Sequence, residues 1–488
     1  MTSFQDQLQG SKEIGFVTEL LRGLVIISGL PSAKVSELVV FENDEFGQVL
    51  SLKKEGIEVL VFGPNTLRLG MKVLGVGKTL TVGVGPHVLG KSLTPQGEVV
   101  GSIEPLVVAE YRPIDTRPQG IMTRTPIVSP LETGVTLIDV LIPLAKGQRQ
   151  LILGDRKSGK TSFLLQTLLT QARKGVICIY AAIGKRALEI KKVEEFIHKS
   201  DISQNTVLIS SSSSDPTGII FLTPYTAMTI AEYFRDQGKD VLVIMDDLST
   251  HSAVYREISL IARRFPGRGA YPGDIFYTHA RLLERAGNFQ LPGKKTAAIS
   301  CLAVAQTVLG DLAGYITTNL MSMTDGHLFF DTQLFDEGRR PAINPFLSVT
   351  RVGLGAQMPV IRDISRQLSS FLVKHEKLKQ YTHFGAEVSQ SVRDTLTMGE
   401  RLYIVFQQFA DKVLPVELNI YCISLLWSGL WDEIDTVEMK KILEQIRTIY
   451  AQDESFRAKV ETMVRSGKTF TEVMAKIKET ADSMVPHL

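Results

Sequence analysis

The sequence predicts a multidomain α/β protein with an N-terminal β-barrel, a central parallel α/β domain and a C-terminal α-helical domain. Three observations lead to this prediction: short apolar strands up to about residue 80, alternating strands and helices from residue 136 to about 350, and amphipathic helices after about residue 357. The 488 residues, 44% of them hydrophobic, suffice for several cores. We therefore predict domains at 1–80, 81–356 and 357–488.

The barrel is predicted from short runs of β-branched and aromatic residues with turn residues between them. These runs are FVTEL, GLVIISGL, ELVVF, FGQVLSL and IEVLVFG. The sequence GVGKT at 75–79 resembles a phosphate loop, but Lys72 stands where that motif needs glycine, so we predict a barrel turn there. Residues 83–135 are rich in glycine and proline and are predicted as extended connections.

Continuously apolar segments in the central region predict strands that are buried on both faces of a parallel sheet. They are QLILG, GVICIYAAIG, TVLISS, DVLVIMDD and AAISCLAVAQT. Two segments between them, SFLLQTLLTQARKG and AMTIAEYFRDQGKD, have helical spacing and end in basic residues and glycine. After about residue 357 amphipathic segments such as IRDISRQLSSFLVKHEKLKQY predict the helical domain.

The segment GDRKSGKT satisfies the phosphate-loop pattern GxxxxGK[ST] and lies between a predicted strand and a predicted helix. In such a loop, backbone N–H groups and the helix N-terminus face the phosphates. Lys160 is predicted to reach the β and γ oxygens, and the Thr161 hydroxyl to ligate Mg²⁺. The predicted binding residues are Gly154, Asp155, Arg156, Lys157, Ser158, Gly159, Lys160, Thr161 and Ser162.

An acidic pair follows the apolar strand VLVIM. We predict that Asp246, rather than its neighbour Asp247, holds a Mg²⁺-bound water. The alternative is an acidic strand end that caps the following helix.

Charge, cysteines and hydropathy argue against several classes of protein. The net charge of +2 gives no electrostatic reason to expect nucleic acid or an anionic membrane as the main ligand. We interpret the basic cluster of Arg256, Arg263, Arg264 and Arg268 as subunit contacts rather than an RNA site.

Three widely spaced cysteines predict buried thiols in a reduced compartment. We expect neither a targeting segment nor a membrane-spanning run.

Long stretches of the chain, from about residue 14 to 470, resemble the α subunits of F-type ATP synthases. They include KGQRQLILGDRKSGKT, AYPGDIFYTHARLLERA, GDLAGYITTNLMSMTDG and FDEGRRPAINPFLSVTRVG. The resemblance implies a RecA-like central domain that binds ATP or ADP with Mg²⁺. It also implies that three such chains alternate with three catalytic β chains around a rotating central stalk γ.

Lys185 departs from this family. In β-type chains a glutamate at this position activates the attacking water, and α-type chains usually carry glutamine. An ammonium has no acceptor for a proton, so Lys185 argues against hydrolysis at this site. Two interpretations stay open: Lys185 adds positive charge near the nucleotide, or it is a solvated loop lysine.

Other site residues are implied by the resemblance alone. Arg351 matches the arginine that α-type chains insert into the neighbouring β site, with an ordinary interface ion pair as the alternative. Phe335, Arg340 and Pro341 match the segment that closes over the base and phosphates, whereas Arg339 replaces an apolar residue. FQQFADKVLP differs from the usual stretch near the adenine, and we assign Gln408 as the candidate contact.

We therefore expect a non-catalytic nucleotide-binding subunit that completes the catalytic sites of β neighbours. Its place would be the cytoplasmic face of a bacterial membrane or the equivalent face in an organelle, reached only through the Fo sector. The short N-terminus leaves contact with the peripheral stalk subunit δ open. The alternatives are an α-like subunit of an F1-like ATPase not used for proton-driven synthesis, and a RecA-like helicase or export ATPase.

Overall fold

The computed structural model describes residues 3–9, 13–54, 56–63, 66–102, 106–382, 389–410 and 412–484. The chain divides into two compact units. Unit 1 comprises residues 1–125, 172–307 and 311–324, and unit 2 comprises residues 126–171, 308–310 and 325–488. The domain boundaries derived from the sequence pattern stay a prediction, since the compact units follow a different division.

Strands outnumber helices in the first half of the chain. They are α1 (Phe4–Leu8), β1 (Gly15–Leu21), β2 (Leu24–Ser28), β3 (Glu37–Phe41), β4 (Phe46–Lys53), β5 (Gly56–Val61), β6 (Lys72–Thr79), β7 (Thr81–Val84), β8 (Ser92–Leu93), β9 (Glu110–Pro113), β10 (Pro130–Leu131), α2 (Thr136–Leu141), β11 (Leu144–Ala145), β12 (Arg149–Gly154), α3 (Lys160–Arg173), β13 (Ile177–Lys185), α4 (Ala187–Lys199), β14 (Thr206–Ser212), α5 (Thr217–Asp236) and β15 (Val241–Asp246).

Helices dominate the second half. The elements are α6 (Leu248–Ile261), α7 (Ile275–Leu283), β16 (Gly287–Gln290), β17 (Thr296–Gln306), α8 (Tyr315–Met323), β18 (Gly326–Phe330), α9 (Thr332–Asp336), β19 (Val349–Thr350), α10 (Pro359–Thr382), α11 (Gln390–Phe406), α12 (Val416–Trp427), α13 (Thr436–Gln452), α14 (Glu454–Ser466) and α15 (Phe470–Met484). Short 3₁₀ helices lie at Pro86–Val88, Ile121–Thr123, Ser203–Asn205, Arg268–Ala270, Pro292–Lys294 and Gly353–Ala356.

The predicted barrel is present in unit 1 as a closed sheet with the order β1-β2-β5-β4-β3-β6. Alternate residues of its strands, among them Val25, Val39 and Val59, fill the interior. The GVGKT segment forms the second half of β6 and pairs with β3, so the predicted turn is wrong at this point. The Glu37 carboxylate accepts the Gly77 N–H at 2.8 Å, which fixes this irregular part of the strand.

Six further strands of unit 1 form a largely parallel sheet with the order β17-β15-β13-β14-β8, in which β16 is antiparallel to β17. Strands β7 and β9 pair antiparallel in a separate two-stranded sheet. All six residues of β15 and the first seven of β13 are buried, which confirms the strands predicted from continuous apolar runs. Helix α5 begins ten residues before the predicted segment AMTIAEYFRDQGKD. All of its residues from Gly218 to Arg235 except Phe221 are buried, so its first half shows no helical period.

Unit 2 contains the phosphate-loop strand and the helical domain. Strand β12 pairs in parallel with β18, which pairs antiparallel with β19. Helices α10 to α15 follow, as the amphipathic segments predict. Cys178 and Cys301 in unit 1 and Cys422 in unit 2 are buried thiols. In the part of the chain that the structure describes, no helix is long and apolar enough to cross a membrane.

A buried histidine pair in unit 1 makes stability depend on pH. His251 Nε2 lies 3.1 Å from the Phe221 carbonyl oxygen and therefore carries the hydrogen, so Nδ1 accepts from His279 Nε2 at 3.1 Å. Burial lowers the pKa of His251 from 6.5 to about 4 and lowers that of His279 as well. The protein interior therefore holds both rings neutral.

We expect the histidine pair to destabilise the fold on acidification. Because the pKa of His251 is lower in the folded chain than in the unfolded chain, its contribution to the stability of the fold is complete above about pH 6.5. This contribution is lost as the pH falls toward 4. At pH 5 the loss from His251 amounts to about 2 kcal/mol relative to neutral pH. Thermal unfolding of the wild type and of His251→Gln, each at neutral pH and at about pH 5, measures this loss of stability. An equal pH dependence of the two proteins would contradict the assignment.

Candidate functional site

The phosphate loop of unit 2 has the strand–loop–helix geometry that the sequence predicts. Gly154 ends β12, and α3 begins at Lys160. Gly154 has φ of 149°, and a Cβ atom there would lie 2.6 Å from the Phe330 carbonyl oxygen on the neighbouring strand. Only glycine fits this close approach. The loop therefore turns directly from the strand edge into a helix N-terminus, where backbone N–H groups are available to an anion.

Side chains of the loop are held by its own backbone. Lys160 Nζ donates to the carbonyl oxygens of Gly154 at 2.6 Å and Asp155 at 2.5 Å. The buried Ser158 hydroxyl donates to the Asp155 carbonyl oxygen at 2.8 Å. The Asp155 carboxylate accepts the Gly310 N–H at 3.0 Å. Of the other predicted residues, Arg156, Lys157 and Thr161 are exposed and Ser162 is half-buried.

A cavity of about 320 Å³ opens beside the phosphate loop, entirely within unit 2. Its volume falls in the range typical of small-molecule sites. It brings the end of the phosphate loop together with the four residues that the sequence analysis assigned to the nucleotide on the basis of the resemblance. These are Phe335, Arg340, Pro341 and Gln408. The lining residues are Ser158, Gly159, Ser162, Phe163, Gln166, Phe330, Phe335, Arg340, Pro341, Ala342, Gln408, Phe409 and Ala410.

Phe335 and Arg340 form a stacked pair in this cavity. The Arg340 guanidinium carbon lies 3.6 Å from the centre of the Phe335 ring. Arg340 Nη1 also donates to the carbonyl oxygens of Phe335 at 2.8 Å and Arg339 at 2.7 Å. The side chain of Arg339 instead stacks on Tyr403, with 4.1 Å between its guanidinium carbon and the ring centre. The aromatic and cationic wall is thus fixed by local contacts.

Gln408 lines the cavity, but its amide is engaged by the protein. Its oxygen accepts from the Thr136 N–H at 3.0 Å and from the Thr136 hydroxyl at 3.1 Å. Its nitrogen donates to the carbonyl oxygens of Gly134 at 2.6 Å and Lys412 at 2.7 Å. Gln408 as a whole is only 5% exposed. These contacts favour a structural role, while the assignment of Gln408 as an adenine contact stays a prediction.

Several cavity residues were missed by the sequence analysis. Phe163 and Gln166 lie on α3, and Phe409 follows Gln408 directly. Gln166 Nε2 donates to the carbonyl oxygens of Phe409 at 3.0 Å and Lys412 at 2.9 Å, which ties the segment after α11 to the phosphate-loop helix. Helical spacing from Ser162 signals Gln166, since residues four apart share a helix face. Nothing in the sequence signals the Phe409 contact.

Arg351 is exposed on unit 2, immediately after β19. Its backbone N–H donates to the Asp325 carbonyl oxygen at 3.0 Å. The Asp325 carboxylate in turn accepts Arg149 Nε at 3.0 Å and Nη2 at 2.8 Å. Two residues further, a Cβ at Gly353 would lie 1.8 Å from the Pro143 carbonyl oxygen. These contacts hold the backbone on both sides of Arg351, whose side chain is exposed.

In unit 1, Lys185 lies between the two predicted acidic residues. Its Nζ is 2.7 Å from Asp246 Oδ1 and 3.0 Å from Asp247 Oδ2. The side chain is only 18% exposed, so the interpretation as a solvated loop lysine is wrong. Lys185 ends β13 and Asp246 ends the adjacent parallel strand β15, which brings them to the same edge of the sheet. This placement explains the contact.

All four carboxylate oxygens of the acidic pair have protein donors. Asp246 Oδ2 accepts the Tyr180 hydroxyl at 2.8 Å. Asp247 Oδ1 accepts the Thr250 N–H at 2.7 Å, and Oδ2 accepts Gln306 Nε2 at 2.7 Å in addition to Lys185. Asp247 is the N-cap of α6, so the capping alternative describes Asp247.

The electrostatics of this cluster favour a charged lysine. Burial opposes the ammonium, but Asp246 and Asp247 outweigh burial and raise the pKa of Lys185. Burial also acts to raise the pKa of Asp247, yet Lys185 and the Thr250 amide lower it overall. For Asp246 burial dominates and raises the pKa. The ion pairs are thus formed in a largely desolvated site.

The contacts of Asp246 do not fit a Mg²⁺ site. Mg²⁺ needs nearly octahedral oxygen ligands, most of them waters. Here an ammonium, which repels a divalent cation, bridges the two carboxylates. Among the described residues, no group of three or more His, Cys, Asp or Glu side chains is arranged to hold a metal ion.

The basic cluster of unit 1 has partners within the chain. The Arg256 guanidinium carbon lies 4.7 Å from the Tyr271 ring centre, and that of Arg268 lies 5.7 Å from the Tyr315 ring centre. Arg263 pairs with Glu19 at 3.4 Å. Arg264 contacts the Tyr255 hydroxyl at 3.4 Å. Each of these four arginines therefore has a contact within unit 1, although Arg263 and Arg268 are exposed.

Two family models match the chain. The model of the ATP synthase alpha/beta family, nucleotide-binding domain, matches residues 134–350. The model of the ATP synthase alpha/beta chain, C terminal domain, matches residues 357–484. Together the matches cover well over half of the 488 residues and contain the phosphate loop and the acidic pair, whereas Arg351 lies between the two matched ranges.

Proposed function

The chain belongs to the ATP synthase alpha/beta family, and from this premise we propose that it is the non-catalytic, alpha-type subunit of an F1-type rotary ATPase. It binds ATP or ADP at its own phosphate loop and completes the catalytic sites of adjacent beta-type chains with Arg351. Its partners are beta subunits in an alternating hexamer and the central stalk γ. Contact with the membrane runs through the Fo sector.

The observation that carries this proposal is the environment of Lys185. A hydrolytic site needs an acceptor that positions and deprotonates the attacking water. Lys185 stands where catalytic relatives of this type carry glutamate, and its ammonium is paired with Asp246 and Asp247. A protonated amine with both neighbours engaged has no acceptor to offer. The residue type at position 185 therefore supports a chain that does not cleave the nucleotide.

Nucleotide binding is supported by the geometry of unit 2. The phosphate loop offers backbone donors at the start of α3, and the adjoining cavity has an aromatic wall at Phe335 and Phe409. A planar base fits between apolar and aromatic side chains, while the ammonium of Lys160 supplies charge for the phosphates. Both parts of a nucleotide thus find suitable chemistry in one unit.

The chain purified alone tests the proposal. We expect one ATP bound per chain in titration calorimetry and turnover at background, with hydrolysis appearing when beta-type chains and the central stalk are added. Robust turnover by the isolated chain would overturn the non-catalytic assignment. Turnover stimulated by RNA would favour the helicase alternative instead.

A further inference from the structure

The cavity beside the phosphate loop is where the base of a bound nucleotide would lie, and its walls determine which base fits. Adenine carries an amino group at C6, whereas guanine carries a carbonyl oxygen at C6 and an amino group at C2. A site whose polar groups hydrogen-bond such a substituent rejects the other base strongly, and an apolar pocket discriminates far less. The hydrogen bonds that the polar groups of the cavity already make therefore decide its selectivity.

Two glutamine side chains line this cavity, and both amides are engaged by the protein. The Gln408 oxygen accepts twice from Thr136, at 3.0 and 3.1 Å, and its nitrogen donates to two backbone carbonyl oxygens at 2.6 and 2.7 Å. The Gln166 nitrogen likewise donates to two backbone carbonyl oxygens, at 3.0 and 2.9 Å. A glutamine amide carries two N–H donors and an oxygen with two lone pairs. Both donor pairs and the oxygen of Gln408 are thus used within the chain.

Backbone carbonyl groups along the cavity also have donors within unit 2. The carbonyl oxygens of Arg340 and Ala342 each accept a backbone N–H at 2.8 Å. The Phe409 carbonyl oxygen accepts the Gln166 amide at 3.0 Å. The amino group of adenine needs an acceptor, and these carbonyl groups already have a donor from the protein.

The walls of the cavity offer a base flat surfaces on which it can stack. On one side the Arg340 guanidinium lies 3.6 Å from the centre of the Phe335 ring. Phe409 lines the same cavity and is 61% exposed, so its side chain is accessible to a ligand. Stacking on aromatic rings and guanidinium groups depends little on the identity of the base, because every base has a π face.

We propose that this cavity holds the base by stacking rather than by hydrogen bonds to its edge, so that the chain binds guanine nucleotides about as tightly as adenine nucleotides. The inference rests on the proposed nucleotide-binding function and specifies its ligand as a purine nucleotide. In this arrangement Gln408 shapes the cavity through Thr136 and does not contact the edge of the base.

Titration calorimetry of the full-length chain with ATP and with GTP, in the same Mg²⁺ buffer, tests the inference. We expect the two dissociation constants to agree within about tenfold. A difference of more than tenfold overturns this inference and leaves the proposed function intact. A chain that binds neither nucleotide overturns the proposed function and this inference with it.

Phe409→Ala removes one stacking surface and should weaken the binding of ATP and of GTP by the same factor, about tenfold. Tyr381→Ala is the matched control, because Tyr381 is an exposed aromatic residue of α10 in the same unit that does not line the cavity. It should bind both nucleotides as wild type does. A loss of affinity confined to one nucleotide in Phe409→Ala would contradict recognition by stacking.

Gln408→Met separates a structural role of the amide from recognition of the base. The variant keeps the length of the side chain and leaves the buried groups of Thr136 without their partner, so it should unfold at a lower temperature than wild type. The ratio of the dissociation constants for ATP and GTP should stay as in wild type. A ratio that changes by more than tenfold would show that Gln408 reads the base and would overturn the inference.

Discussion

Arg351→Ala is expected to lower the ATP turnover of the assembled complex by about 10³-fold or more, while ATP binding to this chain changes little. The physical reason is the fork of the guanidinium, which carries a permanent charge and planar donors that stabilise charge on a transferring phosphoryl group. A loss of this size corresponds to about 4 kcal/mol of transition-state stabilisation. Steady-state hydrolysis by the complex and ATP titration of the chain measure the two effects.

The surroundings of Arg351 allow a clean comparison. Its guanidinium is exposed, and the backbone bond to Asp325 is retained in the alanine variant, so we expect the loop to keep its shape. Arg351→Lys keeps charge without the fork and should recover only part of the activity. Arg366→Ala removes another exposed arginine of unit 2, on α10, and should leave turnover unchanged. Full activity of the Arg351→Ala complex would refute the arginine-finger assignment.

Lys160→Ala is expected to weaken ATP binding to the isolated chain by about 100-fold or more, while the complex retains part of its turnover. Hydrogen bonds to charged groups contribute about 1.5–3 kcal/mol each, and the ammonium faces a polyanion. The bonds of Lys160 to the carbonyl oxygens of Gly154 and Asp155 already hold it at the loop. Titration calorimetry measures the loss.

A control variant on the same helix shows whether the loss of binding comes from removing any positive charge or from removing the phosphate-loop lysine in particular. Arg173→Ala removes an exposed cation near the end of α3 and should bind ATP as wild type does. Unchanged affinity of Lys160→Ala would show that the phosphate loop is not the nucleotide site. Complete loss of turnover in its complex would show that nucleotide on this chain is required for catalysis elsewhere.

Local patterns predicted five strands of the barrel and five strands of the central region. Parallel strands such as β13 and β15 are apolar along nearly their whole length, which only burial on both faces explains. A helix that is buried on nearly all sides has no polar face, so its sequence lacks the amphipathic period that predicts a helix, as in the first half of α5. Strand β6 was missed as a strand because glycine and lysine are poor strand formers, yet pairing with β1 and β3 closes the barrel.

Some features of the candidate site could likewise be predicted from the sequence, and others could not. Glycine and lysine spacing predicted the phosphate loop, and the resemblance supplied Phe335, Arg340 and Pro341, all of which line one cavity. Gln408 lines that cavity as well, but its amide bonds to Gly134, Thr136 and Lys412, some of them far away in sequence. Such long-range partners leave no trace in a local pattern.

By itself the sequence determined the phosphate loop, the three kinds of architecture and the absence of a carboxylate at position 185, because each follows from residue type and spacing. Only the tertiary structure decided what Lys185 does. Strand pairing places its ammonium against Asp246 and Asp247, some 60 residues further along the chain. Lysine at the end of a strand is compatible with solvent or with an ion pair, and the choice depends on charges that only the folded sheet brings within contact.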